Sequence, residues 1–381
     1  MVHHLSIDIE TYSSVDIKKA GLYRYAQAPD FQILLFAYSL DGAPVEVIDL
    51  AQGQEISEHV RTLLFDSECL KHAYNAAFEW YCLSRQFALK RPDCWLPQWR
   101  CTQLQGLYCG YPMGLSAVGT ALGLPADKRK QATGGALIRY FCTPCKPSRV
   151  NGGRTRNLPH HDPEKWRLFV EYNRQDVVTE MEVAQHFASW PVPTAIQKQW
   201  ETDQLINARG VAVDLAMMDG AIDIGERAAT ALKQEAVALS GLDNPNSIAQ
   251  LSEWLSEEME QEIGDVRKDT VKNLLAVGVA SDKARRMLEI RQELGKTSTK
   301  KYNAMEAAVC EDGRVRGLLQ IYGANRTGRW AGRLVQVQNL PRTYIEPLPL
   351  ARDLVKGRKP MHWKSSTAAS PTRCRSSSAR R

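Results

Sequence analysis

Two carboxylates, Asp8 and Glu10, stand two residues apart in the segment Leu5 to Ile9, where apolar and polar residues alternate. That alternation predicts a β-strand, and residues two apart on a strand project from the same face. One strand end thus offers two adjacent like charges. Adjacent carboxylates repel and raise one another's pKa, a cost that two divalent cations would remove.

Further along, two more segments bear on the same chemistry. KHAYNAAFEWY carries Asn75 and Glu79 where a strand is expected to turn into a helix, and EYNRQDVV carries Tyr172 and Asp176. The last two lie four apart inside a long helical pattern that begins near Asp162, so they share one helix face. Taken singly, each piece is ordinary. An Asp-x-Glu pair is usually a solvated strand edge, an Asn can cap a helix start, and a Tyr-Asp pair can sit on a helix surface. The combination in this order is what singles them out: strand pair, then strand-turn-helix, then late helix.

To about Trp190 the pattern is α/β. Strands are expected at Leu5 to Asp8, Ile33 to Leu40, Val45 to Leu50 and Leu70 to Tyr74. Helices are expected after Asn75, at Ser116 to Leu122, at Arg129 to Phe141 and at Asp162 to Ser189, the last entered through His161-Asp162-Pro163. Lys146 to Pro159, rich in Gly, Asn and Arg, reads as a loop. Pro191-Val-Pro193 marks a boundary, after which helices dominate: Ala195 to Ala208, Asp214 to Leu239, Ile248 to Met259, Thr270 to Val277 and Asp282 to Val309. Arg314 to Tyr322 then looks strand-like.

A chain of 381 residues with 44% hydrophobic content suffices for two or three packed domains. No apolar run reaches the roughly 18 residues of a membrane helix, and the N-terminus lacks a signal pattern, so a soluble cytoplasmic protein with no membrane partner is expected. The net charge of +6 is misleading as a pointer to nucleic acid. Eight Lys and Arg and no acid lie from Lys356 onward, and without them 41 basic residues face 43 acidic ones. Any nucleic-acid contact must come from local arrangement. Nine irregularly spaced cysteines fit reduced thiols rather than a disulfide framework. Cys142-Thr-Pro-Cys145 has the spacing of half a zinc site, with His160 and His161 following, but no second Cys-x-x-Cys accompanies it.

A second signature lies in YGANRTGRWAGRLVQVQNLPR, Tyr322 to Arg342. Glycines 323, 328 and 332 allow close backbone approach, while Arg326, Arg329 and Arg333 supply forked donors for phosphates or base edges. Gln338 and Asn339 add neutral donors and acceptors of the kind that suits the degenerate minor groove. By composition alone, a Gly-rich surface hairpin explains the segment equally well.

Both signatures together resemble the family A DNA polymerases. Asp8 and Glu10 match the first motif of that family's proofreading exonuclease, Asn75 to Glu79 the second, and Tyr172 with Asp176 the third. Thr327-Gly328-Arg329 and Gln338-Asn339-Leu340-Pro341 look like its primer-template contacts, and Asn207 to Asp214, Asn244 to Leu251 and Ile290 to Tyr302 are similar to its thumb. The resemblance runs from Leu5 to about Val355, with a phage or prophage flavour. It departs at Glu79, where the family usually has Asp, one methylene shorter; if that acid holds metal through water, the extra length is tolerable.

What the resemblance implies is an α/β ribonuclease H-like exonuclease domain over residues 1–190, a mixed sheet flanked by helices. A mainly α-helical thumb with part of the palm would follow over 191–355, and a disordered basic tail, out of frame with the gene, over 356–381. Asp8, Glu10 and Asp176 would hold two Mg²⁺ or Mn²⁺ ions, with Glu79 assisting through water and Tyr172 orienting the nucleophile. Asn75, Arg326, Thr327, Arg329, Arg333, Gln338 and Asn339 would contact DNA, both single-stranded 3′ ends and primer-template duplex, in a chain expected to be monomeric. The polymerase's palm aspartates and fingers helix would lie after Pro341, where forty residues remain without them, so synthesis is not expected. An apolar patch around Leu318 to Tyr322 is expected to lose its cover in consequence. Alternative readings are an inactive DNA-binding remnant and a free-standing RNA exonuclease.

Overall fold

The computed structural model describes residues 2–129, 134–295, 300–324, 327–340 and 345–359. The chain divides into two compact units, one of residues 1–215 with 300–341, the other of 216–299 with 342–381.

In the first unit the elements run β1 (His3–Tyr12), α1 (Ile17–Ala26), β2 (Gln32–Leu40), β3 (Glu46–Asp49), α2 (Glu58–Phe65), β4 (Cys69–Ala73) and α3 (Ala77–Gln86). They continue with α4 (Pro92–Trp95), β5 (Trp99–Cys101), α5 (Thr102–Tyr108), α6 (Leu115–Ala121), α7 (Gly134–Phe141), α8 (Pro163–His186) and α9 (Thr194–Arg209). Five strands form one sheet in the order β3-β2-β1-β4-β5. β1 pairs antiparallel with β2 and parallel with β4, and β5 extends the parallel side. This is a mixed sheet flanked by helices, as expected.

The alternation in β1 sorts its side chains. Leu5, Ile7 and Ile9 are buried in a core with Phe36 of β2, Val60 and Leu64 of α2, Trp80 and Leu83 of α3, and Trp99 of β5. Each such fully buried side chain contributes about 1.5–3 kcal/mol of transfer free energy. Asp8 and Glu10 are left for the opposite face, which α8 covers. A bulge in the β1–β2 ladder falls between Glu10 and Thr11, where two residues of β2 are passed for one of β1. Bulges re-aim side chains at strand ends, and this one lies at the carboxylate pair.

α8 starts where the sequence signals it: the Asp162 side chain accepts from the Lys165 backbone N–H at 3.0 Å, and Pro163 takes the first turn. Its buried residues, Trp166, Phe169, Tyr172, Asn173, Asp176, Val177, Glu180 and Val183, recur at three- and four-residue steps and so form one stripe against the sheet. β4 holds an unexpected feature, the fully buried Lys71. Its ammonium donates to Asp66 O at 2.6 Å, Cys69 O at 2.8 Å and Gln98 Oε1 at 2.5 Å, and burial pulls its pKa down to about 8.

The unit is completed by β6 (Val211–Ala212), which pairs with a later strand. α10 (Leu215–Ser240), α11 (Ile248–Met259), α12 (Lys268–Val277) and α13 (Asp282–Leu294) form the second unit. The chain then returns through α14 (Lys300–Ala308), β7 (Arg314–Val315, the partner of β6), β8 (Leu319–Ala324) and β9 (Arg329–Gly332). The second unit buries Leu251, Leu255, Val271, Met287, Leu288 and Ile290 against one another. Arg286 clamps Glu235 with two bonds of 2.6 and 2.9 Å. α15 (Leu348–Lys356) belongs with it; its Val355 carbonyl lies so near Gly220 of α10 that a methyl at residue 220 would overlap it.

Several expectations need correction. Of the single helix expected over Asp282 to Val309, α13 covers Asp282–Leu294 and α14 Lys300–Ala308, and residues 296–299 lie outside the described ones. The strand expected over Arg314 to Tyr322 breaks at Gly317, whose φ of +70° suits glycine. β5 was not foreseen, being three residues long. Leu318 and Ile321 are 6% and 4% exposed, so the uncovered apolar patch expected there is absent: Val315 and Val335 pack on the first, and the sheet core takes the second. Of the segment expected to be disordered, residues 360–381 lie outside the described ones, and Lys356 ends α15. Among the described residues no helix is long and apolar enough to cross a membrane.

Candidate metal centre

Asp8 and Glu10 leave β1 on the side covered by α8, and Asp176 comes down from α8 to meet them. One carboxylate oxygen from each of the three lies within 4.8 Å of the others. Glu10 and Asp176 are 8% and 4% exposed, while Asp8 is half-buried and reaches toward solvent. Three carboxylates this close in a largely dry setting repel strongly. An all-oxygen, acidic donor set of this kind fits hard divalent cations such as Mg²⁺ and Mn²⁺.

The surroundings brace the three acids. Asn173, fully buried beside Tyr172 on α8, donates its Nδ2 to Asp8 Oδ2 at 2.6 Å. Cys142, at the end of α7, points its Sγ at Glu10 Oε2 at 3.7 Å, and burial, then the Glu10 charge, pushes its thiol pKa well up. This inward use of Cys142 turns it away from the half zinc site that its spacing suggested. Tyr172 is 1% exposed and stacks on Phe169 at 6.2 Å between ring centroids. Burial, then the Asp176, Glu10 and Asp8 charges, raise its pKa, so its phenol keeps its proton and acts as a donor.

Glu79 sits in the first turn of α3, 3% exposed, with Oε2 lacking a hydrogen-bond partner. It stands outside the trio whose oxygens cluster, yet it feels them. Burial raises its pKa well above the ordinary carboxylate range, and the nearby Asp8 charge is the next cause, ahead of Glu10 and Glu180.

Three contributors were not picked out from the sequence. Asn173 and Glu180 look like interchangeable polar residues of a helix until the stripe that α8 buries is known. Glu180, one turn beyond Asp176, is bonded to Thr102 and has Oε2 unpartnered; its pKa is raised by burial against hydrogen bonds from Thr102 and Ser6. The spacing Tyr172, Asp176, Glu180 was the available signal. Gly134, in the first turn of α7, faces the Tyr172 ring with no room for a side chain.

Asn75 does not cap α3. It is in the left-handed region with φ of +75°, the residue before α3 is Ala76, and no side chain caps the helix. The exposed Asn75 instead lines a cavity with Phe78, Gln103 and Arg333. Of the second signature, Arg326 lies outside the described residues. Thr327 and Gly328 make the turn between β8 and β9, with Gly328 at φ of +65° against the Tyr322 ring. Thr327, Arg329, Arg333, Gln338 and Asn339 are all exposed, the last two in a 3₁₀ turn in which Asn339 Nδ2 donates to Gln336 Oε1 at 3.0 Å.

Comparison with known proteins puts these features in context. No family model matches the chain. It is 51% identical over 354 residues to a DNA polymerase of Bacillus phage SP02, a match that covers 93% of this chain and 53% of the relative. The chain thus spans about half the length of the curated relative it matches. Among solved structures it is similar to the POL domain of Pol1 from M. smegmatis in complex with DNA primer-template and dNTP, with 14% identity and a TM-score of 0.47, over 93% of this chain and 53% of that one. It is also similar to Escherichia coli RNase D, an exoribonuclease, with 16% identity and a TM-score of 0.33, over 85% of this chain and 75% of that one.

Proposed function

We propose that the chain is a fragment of a family A DNA polymerase, as its 51% identity to a phage DNA polymerase supports, and that its first 190 residues are a metal-dependent 3′–5′ exonuclease acting on single-stranded DNA ends. The observation that carries this reading is the convergence of Asp8, Glu10 and Asp176, with their oxygens within 4.8 Å, beneath a protonated Tyr172. Asp8, Glu10 and Asp176 would hold Mg²⁺ or Mn²⁺, and Glu79, whose Oε2 is unpartnered and whose pKa the Asp8 charge helps raise, would support the site through water. When bound, such cations supply Lewis acidity and charge neutralisation to phosphodiester hydrolysis.

The rest is done by the protein's own groups. Asn173 fixes the rotamer of Asp8, so the carboxylate is held before any ion arrives. Tyr172, anchored by Phe169, aims a hydroxyl donor into the cluster and orients the attacking water for in-line displacement. Asp8, the most open of the three, marks the side from which a strand end enters. Residues 191–355 would act as thumb and palm elements, with Thr327, Arg329, Arg333, Gln338 and Asn339 contacting primer-template DNA, a role their exposure permits.

The test is cleavage of 3′-labelled single-stranded DNA and RNA, with Mg²⁺, with Mn²⁺ and with chelator. Mononucleotide release from DNA that needs metal and is abolished in Asp8→Ala, with the fold intact by circular dichroism, is expected. Full activity in that variant overturns the assignment; release from RNA alone reassigns the substrate.

A further inference from the structure

Strand register gathers three basic side chains on one face of the sheet. His72 of β4 lies opposite Ser6 of β1 and opposite Arg100 of β5, and His4, two residues before Ser6, shares its face. His4 Nδ1 and His72 Nε2 are 2.9 Å apart. All three line a cavity of about 650 Å³ in the first unit, closed from the other side by the last turns of α8 and the start of α9. At a rise of about 3.3 Å per residue, His4 stands about 20 Å along β1 from Glu10, so this cavity is separate from the carboxylate cluster.

No acid lines the cavity. Carboxylates nearby are engaged: Asp41 bonds His3 at 2.7 Å and accepts from the His4 backbone at 2.8 Å, Glu180 accepts from Thr102, and Glu201 accepts from Gln197 at 3.1 Å. Arg100 spends Nη1 on the Pro97 and Trp99 carbonyls at 2.8 and 3.0 Å. Among the described residues it forms no ion pair, although the Glu201 charge reaches it. Burial, then the His4 and Arg100 charges, pull the His72 pKa down to about 4, so the basic groups crowd one another as the acids do at the other end of the strand. No side chain caps α9, whose first residue, Thr194, is also on the lining, and that helix end adds partial positive charge. Such a cavity selects an anion. Phosphate, a tetrahedral dianion, can meet donors from three strands at once, and the arginine fork suits it. Elsewhere the wall is apolar, with Leu70, Met181, Ala184 and Val192, and the volume is that of a small-molecule site.

We propose that this cavity binds a small phosphomonoester, with its phosphate held by Arg100, His4 and His72 and its apolar body laid along Leu70, Met181, Ala184 and Val192. The site goes beyond the exonuclease reading, since it needs neither metal nor a DNA end.

The experiment is calorimetric titration of the full chain with inorganic phosphate, phenyl phosphate and dAMP, in chelator, so that the carboxylate cluster plays no part. Phenyl phosphate should bind at least about tenfold tighter than inorganic phosphate, as burial of its ring supports. Arg100→Gln should weaken both by about tenfold or more, the loss of a hydrogen bond to a charged group. If that variant unfolds for want of its carbonyl bonds, His4→Ala, at an exposed position, should weaken both ligands in the same direction. Binding of dAMP as tight as that of phenyl phosphate supports the site with a nucleotide as its source, and phenyl phosphate alone supports it with another ester. No binding of any of the three at millimolar concentration overturns the proposal, as does binding that both variants leave untouched. So does capture of Ni²⁺ by His4 and His72 in a chelator-free titration of a chain that takes no phosphate. A chain that binds phenyl phosphate but cleaves nothing sinks the exonuclease alone.

Discussion

Gly134 and Tyr172 touch so closely that a methyl group at position 134 would overlap the phenol ring. Since Tyr172 is hemmed by Phe169 on one side and lies under the sheet's carboxylates on the other, it has nowhere to retreat without moving its hydroxyl.

Gly134→Ala should therefore displace the ring rather than be absorbed. Overpacking of this kind costs about 1–3 kcal/mol of stability. A misplacement of the hydroxyl by an ångström can lower cleavage by about a hundredfold. Chemical denaturation and single-turnover cleavage check the two effects separately. Wild-type cleavage in a destabilised variant would mean that the Tyr172 hydroxyl is not placed by this contact.

Asn173 is the group that holds Asp8 in place. Partners of this kind, behind a metal ligand, typically account for about 10- to 100-fold in metal affinity. Asn173→Ala should weaken Mn²⁺ binding by that range in calorimetry while leaving the helix formed, since Ala is the best helix former. Unchanged Mn²⁺ affinity would make the bond to Asp8 incidental.

Legibility of the fold and the site followed the range of the physical signal. The alternation of Leu5, Ile7 and Ile9 against Ser6, Asp8 and Glu10 is local, and it located both the central strand and its two acids. The Asp162-Pro163 start of α8 is local too, and it put Tyr172 and Asp176 on one face. Asn173, Glu180 and Gly134 were not legible because their roles depend on which stripe of α8 the sheet covers and on how near α7 approaches it, facts of packing. The left-handed backbone of Asn75 was not legible either, because a left-handed Asn and a capping Asn look alike in sequence.

Asp203 makes stability depend on pH. Burial lifts its carboxyl from the ordinary 3.8 to about 7, against hydrogen bonds from the Ile321 backbone, Gln204 and Asn207. The folded protein then holds a proton that the unfolded chain has lost, so this contribution is full below about pH 4 and disappears as pH rises through 7. Glu79 and Glu180, also raised, act with the same sign. Asp203→Asn should flatten part of the decline in urea midpoint between pH 4 and pH 7. A decline as steep as that of the wild type would show that Asp203 is charged at neutral pH in the folded chain.

The repulsion among Asp8, Glu10 and Asp176 yields a prediction that needs no substrate. In chelator the folded state confines three acids whose oxygens lie within 4.8 Å, whereas the unfolded chain lets them separate. Cations that bind only the folded form stabilise it by mass action, about 2.7 kcal/mol at a hundred times the dissociation constant. Mg²⁺ or Mn²⁺ should thus raise the melting temperature of the wild type. Asp176→Asn removes one repelling charge and one ligand together, so it should melt no lower than the wild type in chelator and gain less from metal. The two curves must therefore converge or cross as metal is added. A variant that melts lower in chelator and gains as much from Mn²⁺ as the wild type would show that Asp176 serves packing and holds no cation.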